Sequence, residues 1–236
     1  YYSEKIVYLP NSYQPNDAKK KISKKIFERE KVGLPKNNFV FCSFNQSSKI
    51  LPNTFDIWMN ILKKVDNSII WLLESNLTTR ENLKNQADKR GVDSKRIIFA
   101  ERLPIEEHLA RHKIADLFID TFPYNGHTTT SDALWAGLPV LTLQGETFAS
   151  RVSSSLLNAL GLPELVTKNS IEYEKKAIEL GNNLTKIISL KKKIETNKLN
   201  KPLFNTKLFT NHIEQAYLEM YKRYNNNQNP ENIEIK

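Results

Sequence analysis

An α/β fold, with a Rossmann-like parallel sheet and helices on both faces, is predicted by three observations. Short apolar, β-branched runs alternate with amphipathic stretches between residues 35 and 168. The connections between them are short, and the residues with ligand chemistry fall in the loops that follow the runs. Repeated strand–helix alternation closes into a parallel sheet covered by crossover helices, and such sheets bind ligands at the carboxyl ends of their strands. After residue 168 the pattern turns to helices only.

Each element has its own signal. Lys5 to Tyr8 can form one strand, and Asn11 to Leu34 reads as a mobile, basic connector. Phe39 to Phe44 is a buried strand. Pro52 to Val65 follows as a helix, because Phe55, Trp58, Met59, Ile61 and Leu62 make a broad apolar face. Ser68 to Leu73 is a second strand, and Thr79 to Arg90 a polar helix stopped by Gly91. Arg96 to Phe99 is a third strand and Pro104 to Lys113 a short helix. Leu117 to Asp120, a helix from Thr128, and Val140 to Leu143 continue the alternation. Thr147 to Leu160 reads as one helix ended by Gly161-Leu162-Pro163. Three more helices follow, at Ser170 to Leu180, Asn183 to Thr196 and Thr206 to Tyr224. The tail, residues 225–236, is Asn-rich and polar and is expected to be disordered.

With 236 residues and 39% hydrophobic content, the chain can bury a real core. No apolar run approaches the roughly 20 residues of a membrane span, and Tyr1-Tyr2-Ser3-Glu4 has no signal-peptide pattern. The start without Met reads as a piece of a longer protein. A lone cysteine, Cys42, makes no internal disulfide and fits a reducing, cytoplasmic setting. The net charge of +9 invites a nucleic-acid reading. Its lysines, however, concentrate in 19–31 and 186–201 with acids interleaved, and no recognition module or aromatic platform accompanies them. Neither a Walker loop nor a Gly-x-Gly-x-x-Gly fingerprint is present. His108 and His112 stand four apart without further ligands, so no metal site is expected.

The chemistry concentrates in Asn125-Gly126-His127-Thr128-Thr129-Thr130-Ser131-Asp132, where a turn after the Leu117 to Asp120 strand opens a helix. A helix N-terminus attracts anions, because its N–H groups lack partners and its dipole is positive there. Asp132, about one turn in, suits a sugar hydroxyl rather than a phosphate. Phosphate plus hydroxyl points to a nucleotide or nucleotide-sugar, and an ordinary Thr/Ser cap on a core helix fits the same residues.

Several ordered segments resemble the O-linked N-acetylglucosamine transferase / Spindly family. They are Phe41 to Ile50, Glu106 to Arg111, Asn125 to Thr129, Asp132 to Gly137, Gly145 to Val152 and Pro202 to Lys207. The resemblance implies the C-terminal half of a two-domain GT-B fold. Residues 1–34 would be the end of a missing N-terminal catalytic half plus a basic linker, and 35–168 the UDP-sugar-binding domain. Residues 169–224 would be helices packing on that domain or crossing back from it, with the tail at 225–236. Tetratricopeptide repeats that grip protein acceptors would lie in the absent part.

Carried over by position, the resemblance implies that Gln46, Lys49, Thr128 and Thr129 bind the diphosphate. Lys49 and His127 are the candidate catalytic residues, with His127 near the sugar–phosphate junction. His108 would stack on uracil beside Leu103, Arg111 would reach the base edge, and Asp132 would accept from a ribose hydroxyl. The implied activity is an inverting, metal-independent O-glycosyltransferase using a UDP-N-acetylglucosamine-type donor on Ser or Thr of proteins. It needs no cofactor beyond the donor and involves neither nucleic acid nor membrane. The isolated chain is expected to bind donor without transferring it. A GDP-fucose enzyme of the Spindly branch, a UDP-sugar epimerase and a small-molecule glycosyltransferase are the alternatives. Two departures bear on the donor: Ile105 stands where the animal enzymes carry a Lys near the ribose, and Tyr124 where they carry a Cys beside the N-acetyl group.

Overall fold

The computed structural model describes residues 3–236, so Tyr1 and Tyr2 of the stretch expected to end a further half lie outside it. The strands are β1 (Val7–Tyr8), β2 (Phe39–Ser43), β3 (Ser68–Leu73), β4 (Ile97–Ala100), β5 (Leu117–Ile119), β6 (Val140–Leu143), β7 (Val166–Thr167) and β8 (Ile233–Glu234). Six of them form one parallel sheet in the order β4-β3-β2-β5-β6-β7. Strand β3 is buried along five of its six residues, which suits a central strand covered on both faces.

The helices are α1 (Pro52–Lys64), α2 (Leu77–Lys89), α3 (Ile105–Arg111), α4 (Thr128–Trp135), α5 (Val152–Ala159), α6 (Ser170–Gly181), α7 (Leu184–Asn200) and α8 (Thr206–Asn225). Helix α1 opens with Pro52, whose missing N–H costs nothing at that position, and buries the expected Phe55, Trp58, Met59, Ile61 and Leu62. Asparagine starts four helices: Asn76, Asn169, Asn183 and Asn205 each accept a backbone N–H at the head of α2, α6, α7 and α8. The core runs through Trp58, Trp71, Phe41, Phe118 and Tyr173, all within 1% of full burial.

Sheet order fixes the site. The chain steps outward from β2 to β3 and β4, then returns to the other side of β2 with β5. Strands β2 and β5 pair directly, Phe41 opposite Leu117, so their following loops face one another across the crevice where the direction of winding switches.

Four expectations need correction. Thr147 to Leu160 is not one helix: a 3-10 turn at Phe148–Ser150, closed by a reciprocal Thr147–Ser150 cap, precedes α5. Strand β7 was hidden in two residues, too short for a periodicity. The segment from Asn11 to Leu34 is not a loose connector. Arg29 donates to Ile114 O (3.0 Å), Asn38 O (2.8 Å) and Asp116 Oδ2 (2.8 Å), while Ser12 and Asn16 are buried. The polar tail is likewise ordered, because Ile233 and Ile235, two apart, bury one face against Val7, Leu9 and Ala216. Backbone bonds from Ile233 N to Ile6 O and from Ile235 N to Tyr8 O, each 3.0 Å, tie β8 to β1.

Candidate functional site

The frame of the site is a buried carboxylate. Asp120, fully enclosed just past the end of β5, accepts from Thr121 N (2.9 Å), Gly126 N (2.7 Å) and Asn45 Nδ2 (2.9 Å) on one oxygen. Its other oxygen accepts from Thr142 Oγ1 at 2.8 Å. Burial pushes its pKa up, and the donors from Gly126, Thr142 and Asn45 oppose that push. The carboxylate therefore welds the loops after β2 and β5 to strand β6. Gly126 is required where the backbone passes closest. An added Cβ there would sit 2.5 Å from Thr130 Oγ1, 2.7 Å from Thr129 Oγ1 and 3.0 Å from Asn45 Oδ1.

On that frame stands a positive pole. The first backbone bond of α4 runs from Ser131 N to His127 O (3.1 Å), so the N–H groups of residues 128–130 carry no bond within the helix. Thr128 is exposed at the mouth. The Thr129 hydroxyl is not free as expected: it donates to Asn45 Oδ1, leaving Thr129 its backbone N–H for a ligand. Lys49 reaches the same place from the loop after β2, donating to Asn125 O at 2.9 Å, with its ammonium 4.0 Å from the centre of the Tyr124 ring. Burial lowers the Lys49 pKa and the Asp120 charge opposes this. Gln46 is exposed and lines the same opening with Lys49 and Tyr124.

His127 precedes α4 with its ring stacked on Tyr124, 5.2 Å between centroids and 22° apart. Burial lowers its pKa, and the nearby Lys49 charge adds to that effect. Its Nδ1 faces Tyr13 Oη at 3.4 Å, and its Nε2 is buried with no partner among the described residues. Tyr13 in turn packs edge-on against Phe148 at 4.8 Å.

The other end of the crevice is an open cavity of about 400 Å³ lined by Phe99, Leu103 and Arg111 on one side and by residues 25–28, 31 and 32 on the other. Arg111 is only 1% exposed, held over Phe44 (4.6 Å) with its guanidinium donating to His108 Nδ1. His108 is therefore neutral at that nitrogen, and its ring leans on Phe44 at 5.2 Å. His112 donates Nδ1–H to His108 O at 2.7 Å and leaves Nε2 buried and unpartnered. Both histidine rings pack in series against Phe44, and no cluster of three or more His, Cys, Asp or Glu suited to a metal occurs among the described residues. Asp132, expected to take a sugar hydroxyl, is buried on α4 and paired with Lys20.

The histidine pair has a consequence for stability. Burial pushes His108 down to about 3 and His112 down to about 4 from the ordinary 6.5. The unfolded chain then binds more protons below pH 6.5, so stability rises with pH through this range and is lost as pH falls toward 4. The melting temperature is expected to drop steadily between pH 7 and pH 4.5, and His112→Phe should flatten that slope. An unchanged slope in the variant would remove His112 from the account.

Of the residues that the resemblance implies, Gln46 and Lys49 line the opening beside Tyr124, where His127, Thr128 and Thr129 start α4, Leu103 and Arg111 line the cavity at the other end, and His108 and Asp132 sit on α3 and α4. Asn45, Asp120 and Tyr13 were missed. A carboxylate ending an apolar strand was the available signal for Asp120; none existed for Tyr13, which arrives from the supposed connector.

A switch-point crevice with a cation, a free helix N-terminus and a buried carboxylate, on a doubly wound parallel sheet, is the Rossmann-like half of a GT-B fold. The sequence profile of glycosyl transferase family 41 matches residues 12–213, and the chain belongs to that family. It is 38% identical over 240 residues to a probable UDP-N-acetylglucosamine–peptide N-acetylglucosaminyltransferase, SEC, of Arabidopsis thaliana, covering 99% of this chain and 25% of that protein. Against the UDP-N-acetylglucosamine–peptide N-acetylglucosaminyltransferase of Caenorhabditis elegans the identity is 40%, over 83% of this chain and 17% of the relative. A variant of the Thermobaculum terrenum O-GlcNAc transferase superposes with TM-score 0.71 at 32% identity, over 78% of this chain and 36% of that one. The chain thus spans a quarter or less of the length of these two curated relatives.

Proposed function

We propose that this chain is the donor-binding part of an inverting, metal-independent O-glycosyltransferase that transfers from a UDP-N-acetylglucosamine-type donor to Ser or Thr of proteins. The observation that carries the reading is the convergence of Lys49 and the unbonded N–H groups of α4 on one point of the crevice. A departing nucleoside diphosphate develops negative charge, and fixed donors aimed there stabilise it without reorganising. The names of relatives at 38% and 40% identity support the same donor and a protein acceptor.

In the reaction the acceptor hydroxyl oxygen attacks the anomeric carbon from the face opposite UDP. The bond from that carbon to the β-phosphate oxygen breaks, UDP leaves with the electron pair, and the hydroxyl proton passes to a base. Lys49, Gln46, Thr128 and the backbone N–H of Thr129 bind the diphosphate. His127 stands beside the junction, Asp132 faces the ribose, and Leu103, His108 and Arg111 form the base end. By itself the chain binds donor and transfers nothing, the remaining machinery belonging to the length of the relatives that it does not span. The resemblance to the Spindly branch keeps a GDP-fucose donor as the second reading, although the SPINDLY protein of Arabidopsis thaliana, 33% identical over 80% of this chain, is itself named for UDP-N-acetylglucosamine.

Calorimetric titration with UDP, GDP and uridine at one ionic strength tests the proposal. UDP is expected to bind well above the other two. GDP preference would move the chain to the second reading, and binding of none of the three would overturn the donor-site assignment for this chain.

A further inference from the structure

The segment from residue 11 to residue 32 lies along the crevice from end to end. Tyr13 reaches His127 at the diphosphate end, Lys20 pairs with Asp132 further along, and residues 25–28 with Lys31 and Val32 wall the cavity that holds Leu103 and Arg111. That spatial order matches the covalent order of a nucleotide-sugar: diphosphate, ribose, base. Lys20 is fixed in this strap. Its carbonyl accepts from Trp135 Nε1 at 2.8 Å, and Asn16 Oδ1, four residues earlier, accepts from Ser131 Oγ at 2.6 Å.

Resting on the nucleotide-sugar reading, we propose that Lys20 is a donor-binding residue that forms with Asp132 a two-polarity clamp for the ribose diol. Lys20 takes Asp132 Oδ1, and Asp132 Oδ2 has no partner among the described residues. An ammonium only donates and a carboxylate only accepts, whereas each ribose hydroxyl does both. Side by side, the two groups satisfy a vicinal diol: one hydroxyl donates to Oδ2, and the other accepts from Nζ. A merely stabilising ion pair gains little from partial burial, while this one leaves a carboxylate oxygen and ammonium hydrogens available at the position between diphosphate and base. Lys20 comes from the strap and not from the sheet domain, so the strap itself takes part in reading the ribose.

The test compares UDP with 2′,3′-dideoxy-UDP by calorimetry on the full chain, wild type and Lys20→Met. Wild type is expected to prefer UDP by about a hundredfold, the size of two hydrogen bonds to charged groups. Lys20→Met should lose about tenfold of that preference: UDP weakens by about tenfold while the dideoxy compound changes by less than about twofold, and the remainder belongs to Asp132. Lys20→Arg, which keeps the donors, should retain the preference. Equal weakening of both ligands by Lys20→Met, or tighter UDP binding, would overturn the clamp and leave the donor site standing. Wild type binding neither ligand would overturn the donor-site reading and the clamp with it. Should the Met variant fail to melt cooperatively, Lys20→Leu, which also lacks a donor, carries the same comparison.

Discussion

On the proposed function, Lys49→Ala is expected to lower the turnover of the intact transferase by roughly 30- to 1,000-fold, or about 2 to 4 kcal/mol of transition-state stabilisation. The reason is geometric. The ammonium is pinned by Asn125 O at 2.9 Å and rests against the Tyr124 face, so it is already in place before the leaving group develops charge. No carboxylate pairs with it directly among the described ion pairs, and Asp120, whose charge acts on it, is consumed by four protein donors. Its charge is therefore available to the diphosphate. Lys49→Arg keeps a charge but not the fit over Tyr124, and should fall between the two. Steady-state kinetics checks the outcome. A fall in the turnover number marks a role in the transition state, a rise in KM alone marks uniform binding, and an unchanged turnover number sinks the leaving-group role.

The sheet, most helices and the line of the crevice were legible because each rests on a repeating signal. Ser-Ile-Ile-Trp-Leu-Leu at Ser68 to Leu73 has few other uses than a covered strand, and the Phe55-to-Leu62 spacing fixes the buried face of α1. What escaped depends on partners distant in sequence. Lys20 lies in a basic run that looks solvated until Asp132, 112 residues later, meets it. The tail looks disordered by composition, yet two isoleucines and a strand 226 residues away order it. The sequence leads one to expect a free Thr129 hydroxyl, and only the arrival of Asn45 from the loop after β2 shows that hydroxyl to be taken. Short polar segments carry no period, so their placement is settled by tertiary pairing alone.

The second large effect concerns the frame and not the ligand. Asp120→Ala is expected to destabilise the fold by about 3 to 5 kcal/mol, because it strands several buried donors at once. Gly126 N, Thr121 N, Asn45 Nδ2 and Thr142 Oγ1 all lose their acceptor, although Asn45 keeps a bond to Thr121 Oγ1 at 2.8 Å. These donors belong to the loops after β2 and β5 and to β6, so the loss also loosens the start of α4, the proposed diphosphate site. Asp120→Asn preserves shape and one acceptor oxygen but turns an NH₂ toward donors, so it should recover only part of the loss. For a chain of this size the alanine change should lower the melting temperature by about 10 °C or more, with UDP affinity falling in parallel. A melting temperature within about 2 °C of wild type would mean that water replaces the carboxylate cheaply. The crevice would then be held by packing around Phe118 and Tyr173 instead of by this buried charge.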